Sequence, residues 1–260
     1  MSATDVPATP PSEGPYDPDL KLVLPGKGLP AGAGWDWITE GWSLFTKAPL
    51  MWIVSLLVIF VGAIAVGLVP ILGQLLFQLV QAAIAAGYMV ACRSLEKGGE
   101  FEIEHLMAGF QRRFVPLLIV GVLFLVGWIV IFLICMAFAG MGMIGALMAG
   151  DAENAAHALM ASAGSIVLGL LVMMALMVPL VAAYWFAPAL VMMHDMKPIA
   201  AMRESFFACF RNFVPFLVYG IVMTIAGFFA ALPFGLGMLV WVPVAIASTY
   251  VAYRQIFTED

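Results

Sequence analysis

Six apolar runs, each about the 20 residues a helix needs to cross a bilayer, divide this chain. They cover residues 50–69, 71–92, 114–138, 166–187, 214–231 and 236–253, and none contains an Asp, Glu, Lys, Arg or His. A hydrocarbon core offers no water to backbone N–H and C=O groups, so runs of this kind must satisfy those groups internally, as helices. Apolar residues make up 64% of the chain and charged residues 10%, which is far from soluble usage. No period-two alternation marks the runs as barrel strands. The expected fold class is therefore all-α, an integral membrane six-helix bundle.

Charge orients the bundle. Lys21, Lys27 and Lys47 precede the first run, and Arg93, Lys97, Arg112 and Arg113 lie at or beyond the end of the second. Lys197, Arg203 and Arg211 separate the fourth from the fifth, and Arg254 follows the sixth. The gaps after the first, third and fifth runs hold none of the 11 basic residues. Short loops rich in Lys and Arg stay on the cytoplasmic side, so six crossings with both termini cytoplasmic are expected, in a bacterial inner (plasma) membrane. Residues 1–34 carry seven prolines and scattered acids without an apolar core, and read as a disordered cytoplasmic tail ahead of a membrane domain over 35–257.

Three further segments are amphipathic. Trp35, Ile38, Trp42 and Phe45 share one helical face; Ile103, Leu106, Met107, Phe110 and Phe114 share another. Ile199, Met202, Phe206, Phe210 and Phe213 form a third. Helices of this kind lie flat at a lipid surface or cap the mouth of a bundle. Each feeds a proline and then a span. Arg112-Arg113-Phe114-Val115-Pro116 matches Arg211-Asn212-Phe213-Val214-Pro215, with Lys47-Ala48-Pro49 a weaker copy. The chain thus divides into three amphipathic-helix-plus-hairpin repeats, over about 35–93, 101–193 and 198–257.

The Trp-rich start Gly34-Trp35-Asp36-Trp37-Ile38 with Gly41-Trp42-Ser43-Leu44-Phe45, the Ala187-Pro188-Ala189-Leu190-Val191 segment, and Ser205 through Asn212 resemble a family of uncharacterised proteobacterial six-span inner-membrane proteins. The resemblance covers about residues 34–257 and implies fold and location. The layout is also similar to the membrane domain found beside some glycerophosphodiester phosphodiesterases, whose hydrolase domain has no counterpart here. Neither resemblance supplies catalytic residues.

Chemistry-bearing groups are sparse. Buried ionisable residues mark proton and ion pathways, and the spans have none. Gln74, Gln78 and Gln81 form a polar strip on one face of the second span; it reads as interhelical glue, with a cavity lining as the alternative. Pro179 and Pro243 interrupt the fourth and sixth spans. Met141, Met143, Met148, Met160 and His157 gather around the far loop, where gap-filling explains them better than a copper site. His194-Asp195 lacks further metal ligands, His105 sits beside two glutamates, and the three cysteines match no disulfide or zinc spacing. No metal, cofactor or nucleic-acid partner is expected.

The reading is a non-enzymatic membrane protein acting through lipid or protein contacts at its cytoplasmic face. Arg112, Arg113, Lys197, Arg203 and Arg211 are its lipid-surface residues. Membrane lipids are the expected partners, with a membrane-protein partner or a homo-oligomer left open. The alternative is a small permease for an apolar or zwitterionic solute.

Overall fold

The computed structural model describes residues 20–69, 72–147 and 152–259, apart from the side chains between 138 and 162. The helices are α1 (Ala33–Lys47), α2 (Pro49–Gly67), α3 (Leu72–Glu96), α4 (Glu104–Arg112) and α5 (Phe114–Leu147). They continue as α6 (Ala152–Trp185), α7 (Ala187–His194), α8 (Pro198–Arg211), α9 (Phe213–Ala231) and α10 (Met238–Phe257). Among the described residues there is no strand, and an isolated antiparallel bridge joins Leu22 to Thr258. The fold is all-α.

Prolines set the boundaries between short and long helices. A proline ring collides with the carbonyl four residues earlier and leaves it without a donor. Pro116 and Pro215 thus end α4 at Arg112 and α8 at Arg211, each four residues upstream. Arg113 and Asn212 take non-helical conformations at these breaks. Their carbonyls then start the next helix, accepting from Leu117 N–H and Phe216 N–H at 3.0 Å. Pro49 stands at the first position of α2 and forces Ala48 out of the helical region.

Five helical stretches are long and apolar enough to cross a membrane: Pro49–Gly67, Leu72–Glu96, Phe114–Ala137, Ala163–His194 and Phe213–Ala231. The expected sixth, 236–253, is not among them. Its helix α10 has an apolar first half, but Ser248, Thr249, Tyr250, Tyr253, Arg254 and Gln255 make the second half polar. That half is buried against α1 rather than presented outward. The third and fourth runs also differ from expectation. α5 and α6 are 34 residues each, so most of residues 139–165, outside the third and fourth runs, extends these helices. The cluster of Met141, Met143, Met148, Met160 and His157 lies outside the described side chains.

The core sits at one end of the bundle, the end that carries the basic residues. α7 is its centre: Leu190, Val191, Met192 and Met193 are fully buried, as are Trp37, Trp52, Tyr250, Tyr253 and Phe257 around them. Ser205 holds the α6–α7 junction, accepting from Phe186 N–H at 2.9 Å and donating to the Ala182 carbonyl at 2.6 Å. Away from this end the helices are exposed on most sides, with Phe60, Val61, Met174, Phe228 and Phe229 uncovered. Lipid tails are as apolar as these side chains, so nothing drives them inward.

The expected tail extended to residue 34. Residues 20–32 instead run against the C-terminal end of α10, with Val23 N–H bonded to the Phe257 carbonyl and Lys27 N–H to that of Ile256, both at 2.7 Å. Asn212 fastens the segment, accepting from Leu29 N–H at 2.8 Å and donating to the Lys27 carbonyl at 2.9 Å. Residues 1–19 lie outside the described residues.

Candidate functional site

The three short helices pack largely through small residues, and most of each bulky stripe faces outward, although Phe45 and Leu106 are buried. α1 lies on α9 and α10 through Gly34, Trp37, Gly41 and Leu44, so Trp35 and Trp42 are exposed. A Cβ at Gly41 would stand 2.5 Å from Ser248 Oγ and 2.7 Å from the Ser248 nitrogen. α4 lies on α3 through Leu106, Ala108 and Gly109, where a Cβ at Gly109 would stand 2.2 Å from the Ala83 carbonyl oxygen. Ile103, Met107 and Phe114 remain outside. α8 turns Ala201, Ser205 and Ala208 inward onto α6 and leaves Ile199, Phe207 and Phe210 exposed, followed by Phe213 at the start of α9. Small residues let helix backbones approach closely, which is the usual source of association energy where apolar burial gains little. What remains is an outward aromatic and aliphatic face on each short helix.

Basic residues border these faces unevenly. Arg112, Lys197 and Arg203 are exposed, and the Arg203 guanidinium lies over the Phe207 ring at 5.8 Å. Arg113, at the break between α4 and α5, is drawn into an ion pair at 2.6 Å with Asp195 at the end of α7. Arg211 donates to the Gly26 carbonyl and so helps hold the N-terminal segment. Of the five candidate lipid-surface residues, two therefore serve the fold directly.

A charged network that the sequence pattern did not suggest closes the core beneath them. Glu96 at the end of α3 meets Arg93 and Arg254 at 2.6 Å each and accepts from the Tyr250 hydroxyl at 2.5 Å. Arg254 reaches Glu40 of α1 at 2.6 Å, and Gln255 links Glu40 to the Trp37 indole. His194 and the Tyr253 hydroxyl are 2.7 Å apart. Arg93 and Glu96 lie one turn apart near the C-terminal end of α3, and only the fold brings Arg254 of α10 and Glu40 of α1 to them. The arrangement ties α1, α3 and α10 at a single point.

Gln74 and Gln81 are exposed and Gln78 is half-buried, and none makes a side-chain hydrogen bond among the described residues. The same face of α3 continues through Tyr88 and Glu96, which are covered by α2 and α10. Toward the other end that face is uncovered. His105 accepts from the Glu102 backbone N–H at 3.1 Å and so supports the start of α4. Burial pushes the Cys209 thiol up to about 12, which keeps it neutral and unreactive as an apolar filler. No group of three or more His, Cys, Asp or Glu among the described residues is placed to hold a metal ion.

No family model matches the chain, and no solved structure matches it. The chain is 31% identical over 243 residues to the "Probable inner membrane protein BTH_II0599" of Burkholderia thailandensis. The similarity covers 87% of this chain and 89% of that protein. Together with the five apolar helices, it places the protein in the inner membrane as a multi-pass component. This chain belongs to the family of that inner-membrane protein.

Proposed function

We propose that the protein is a non-enzymatic inner-membrane component that works through lipid contact at its cytoplasmic face. The observation that carries this reading is the outward turn of the bulky faces of α1, α4 and α8. Trp35, Trp42, Met107, Ile199, Phe207 and Phe210 are all exposed, as are Arg112, Lys197 and Arg203. Helices with aromatic outer faces and basic borders suit the boundary between headgroups and acyl chains. The layout likeness to the membrane domain beside glycerophosphodiester phosphodiesterases fits the same reading.

In this reading α10 is the sixth crossing and the chain has three repeat units. The hairpin turn between α9 and α10 returns the chain to the end where Arg254 meets Glu40 and Glu96. Both termini are then cytoplasmic. Reporter fusions after residues 98, 200 and 260 are expected to read cytoplasm, and fusions near 152 the opposite side. A cytoplasmic signal near 152 would overturn the topology.

The lipid role is tested on the exposed cations alone, which spares the Arg113 and Arg211 contacts. Each cation near an anionic surface contributes about 1 kcal/mol, so Arg112→Gln/Lys197→Gln/Arg203→Gln should weaken selective retention of phosphatidylglycerol about a hundredfold. Retention is read by mass spectrometry of the extracted protein, with circular dichroism to confirm folding. Unchanged retention in the folded variant would remove the lipid reading. A permease for a small apolar or zwitterionic solute would then stand in its place.

A further inference from the structure

A crevice of about 520 Å³ separates α6 from α9, with α8 as its floor. Met174, Val178, Trp185, Phe210, Phe216 and Leu217 are among its lining residues, and no charged side chain enters the lining. Met174, Val178 and Leu217 stay substantially exposed, so the crevice opens sideways between two helices that are apolar and long enough to cross the membrane. Its volume falls in the range of cavities that bury small ligands. Water has no polar partner along these walls, so an empty crevice would be a void that the surrounding acyl chains fill.

The floor supplies the second half of a recognition site. Phe210 lines the crevice from α8, and Arg203 lies seven residues earlier, two turns or about 10 Å along the same helix. Seven residues bring a side chain back to the same helical face. Arg203 is exposed there, with its guanidinium held over the Phe207 ring. A cation on the same face of α8, two turns from an apolar slot, matches an amphiphile with an anionic head and an apolar tail. The geometry points to a bound-lipid site: the crevice between α6 and α9 takes an acyl chain of an anionic phospholipid, whose phosphate pairs with Arg203.

This site rests on the lipid-contact reading but differs from it in kind. Surface retention is a diffuse effect of several cations, whereas the crevice holds one chain in one place. Val178→Trp and Leu217→Trp fill the slot and leave every cation intact. Leu170→Trp, exposed on α6 and outside the lining, is the control. Native mass spectrometry in the presence of phosphatidylglycerol should show that the tightest-held lipid is about tenfold weaker in both crevice variants and unchanged in the control. Total phosphatidylglycerol enrichment should remain. In the unaltered protein, phosphatidylglycerol carrying a diazirine in its acyl chain should crosslink preferentially to peptides holding Met174, Val178 and Leu217. Labelling spread evenly over the exposed spans would overturn the crevice site. So would unchanged tight binding in either folded variant, and neither result would touch the surface reading. Loss of phosphatidylglycerol selectivity throughout, with the tight lipid kept, would overturn the surface reading and leave the crevice standing.

Discussion

Gly41→Leu is expected to unseat α1 and lower the stability of the folded protein by about 2–3 kcal/mol. The helix crosses α10 so closely that even a Cβ would stand 2.7 Å from the Ser248 backbone nitrogen, and backbone cannot swing aside as a long side chain can. Displacing α1 also breaks the bond from the Trp37 indole to Gln255, 3.0 Å long, and the Trp37–Phe216 ring contact at 5.0 Å. Thermal unfolding in detergent should show the loss, accompanied by red-shifted tryptophan emission as Trp37 becomes exposed. Gly62→Leu provides the comparison, because a Cβ at Gly62 meets nothing within 4 Å on the open side of α2. Equal melting of the two variants would mean that close approach at Gly41 does not hold α1 in place.

Glu96→Gln should cost about as much, about 2–3 kcal/mol, by a different route. The carboxylate meets two arginines and a tyrosine hydroxyl, and both Glu96 and Arg254 are mostly shielded, with side chains 20% and 23% exposed. Removing one member of a shielded pair leaves the other charge short of a partner, which is costlier than the pair itself is stabilising. Glu40 is the internal contrast. It bonds the same arginine at 2.6 Å but is 43% exposed, so Glu40→Gln should cost under about 1 kcal/mol. Chemical unfolding of the two single variants measures the difference. Adding Arg254→Gln to Glu96→Gln should cost less than the sum of the separate changes, since the two act through one contact. Equal costs at Glu40 and Glu96, or strict additivity, would show that the network does not tie α1, α3 and α10 together.

Much of this architecture was legible in the residues themselves. Uninterrupted apolar runs permit only helices in hydrocarbon, and five of them appear as helices long and apolar enough to cross a membrane. The positions of Pro49, Pro116 and Pro215 mark where each short helix gives way to a long one, because the proline ring acts on its own helix and needs no tertiary partner. The Ala187–Val191 segment stood out as a family likeness, and in the structure it becomes the buried centre of the core.

What the chain alone could not disclose was which side of each short helix faces inward. Periodicity groups bulky apolar residues on one face, and Trp35 and Trp42, or Ile199 and Phe210, suit a lipid surface as well as a cap on the bundle. In the fold they are exposed, and Gly34, Gly41, Gly109, Ala201 and Ala208 form the contacts instead. The Glu96–Arg254–Glu40 network was equally hidden, because its members come from three helices with no shared sequence signal. The sequence determined the class, the proline-marked starts of the long helices α2, α5 and α9, and the end at which charge collects. Only the tertiary structure decided the inward faces, for a physical reason: beside lipid, bulky apolar side chains gain little by leaving the surface, so backbone approach through small residues governs how the helices pack.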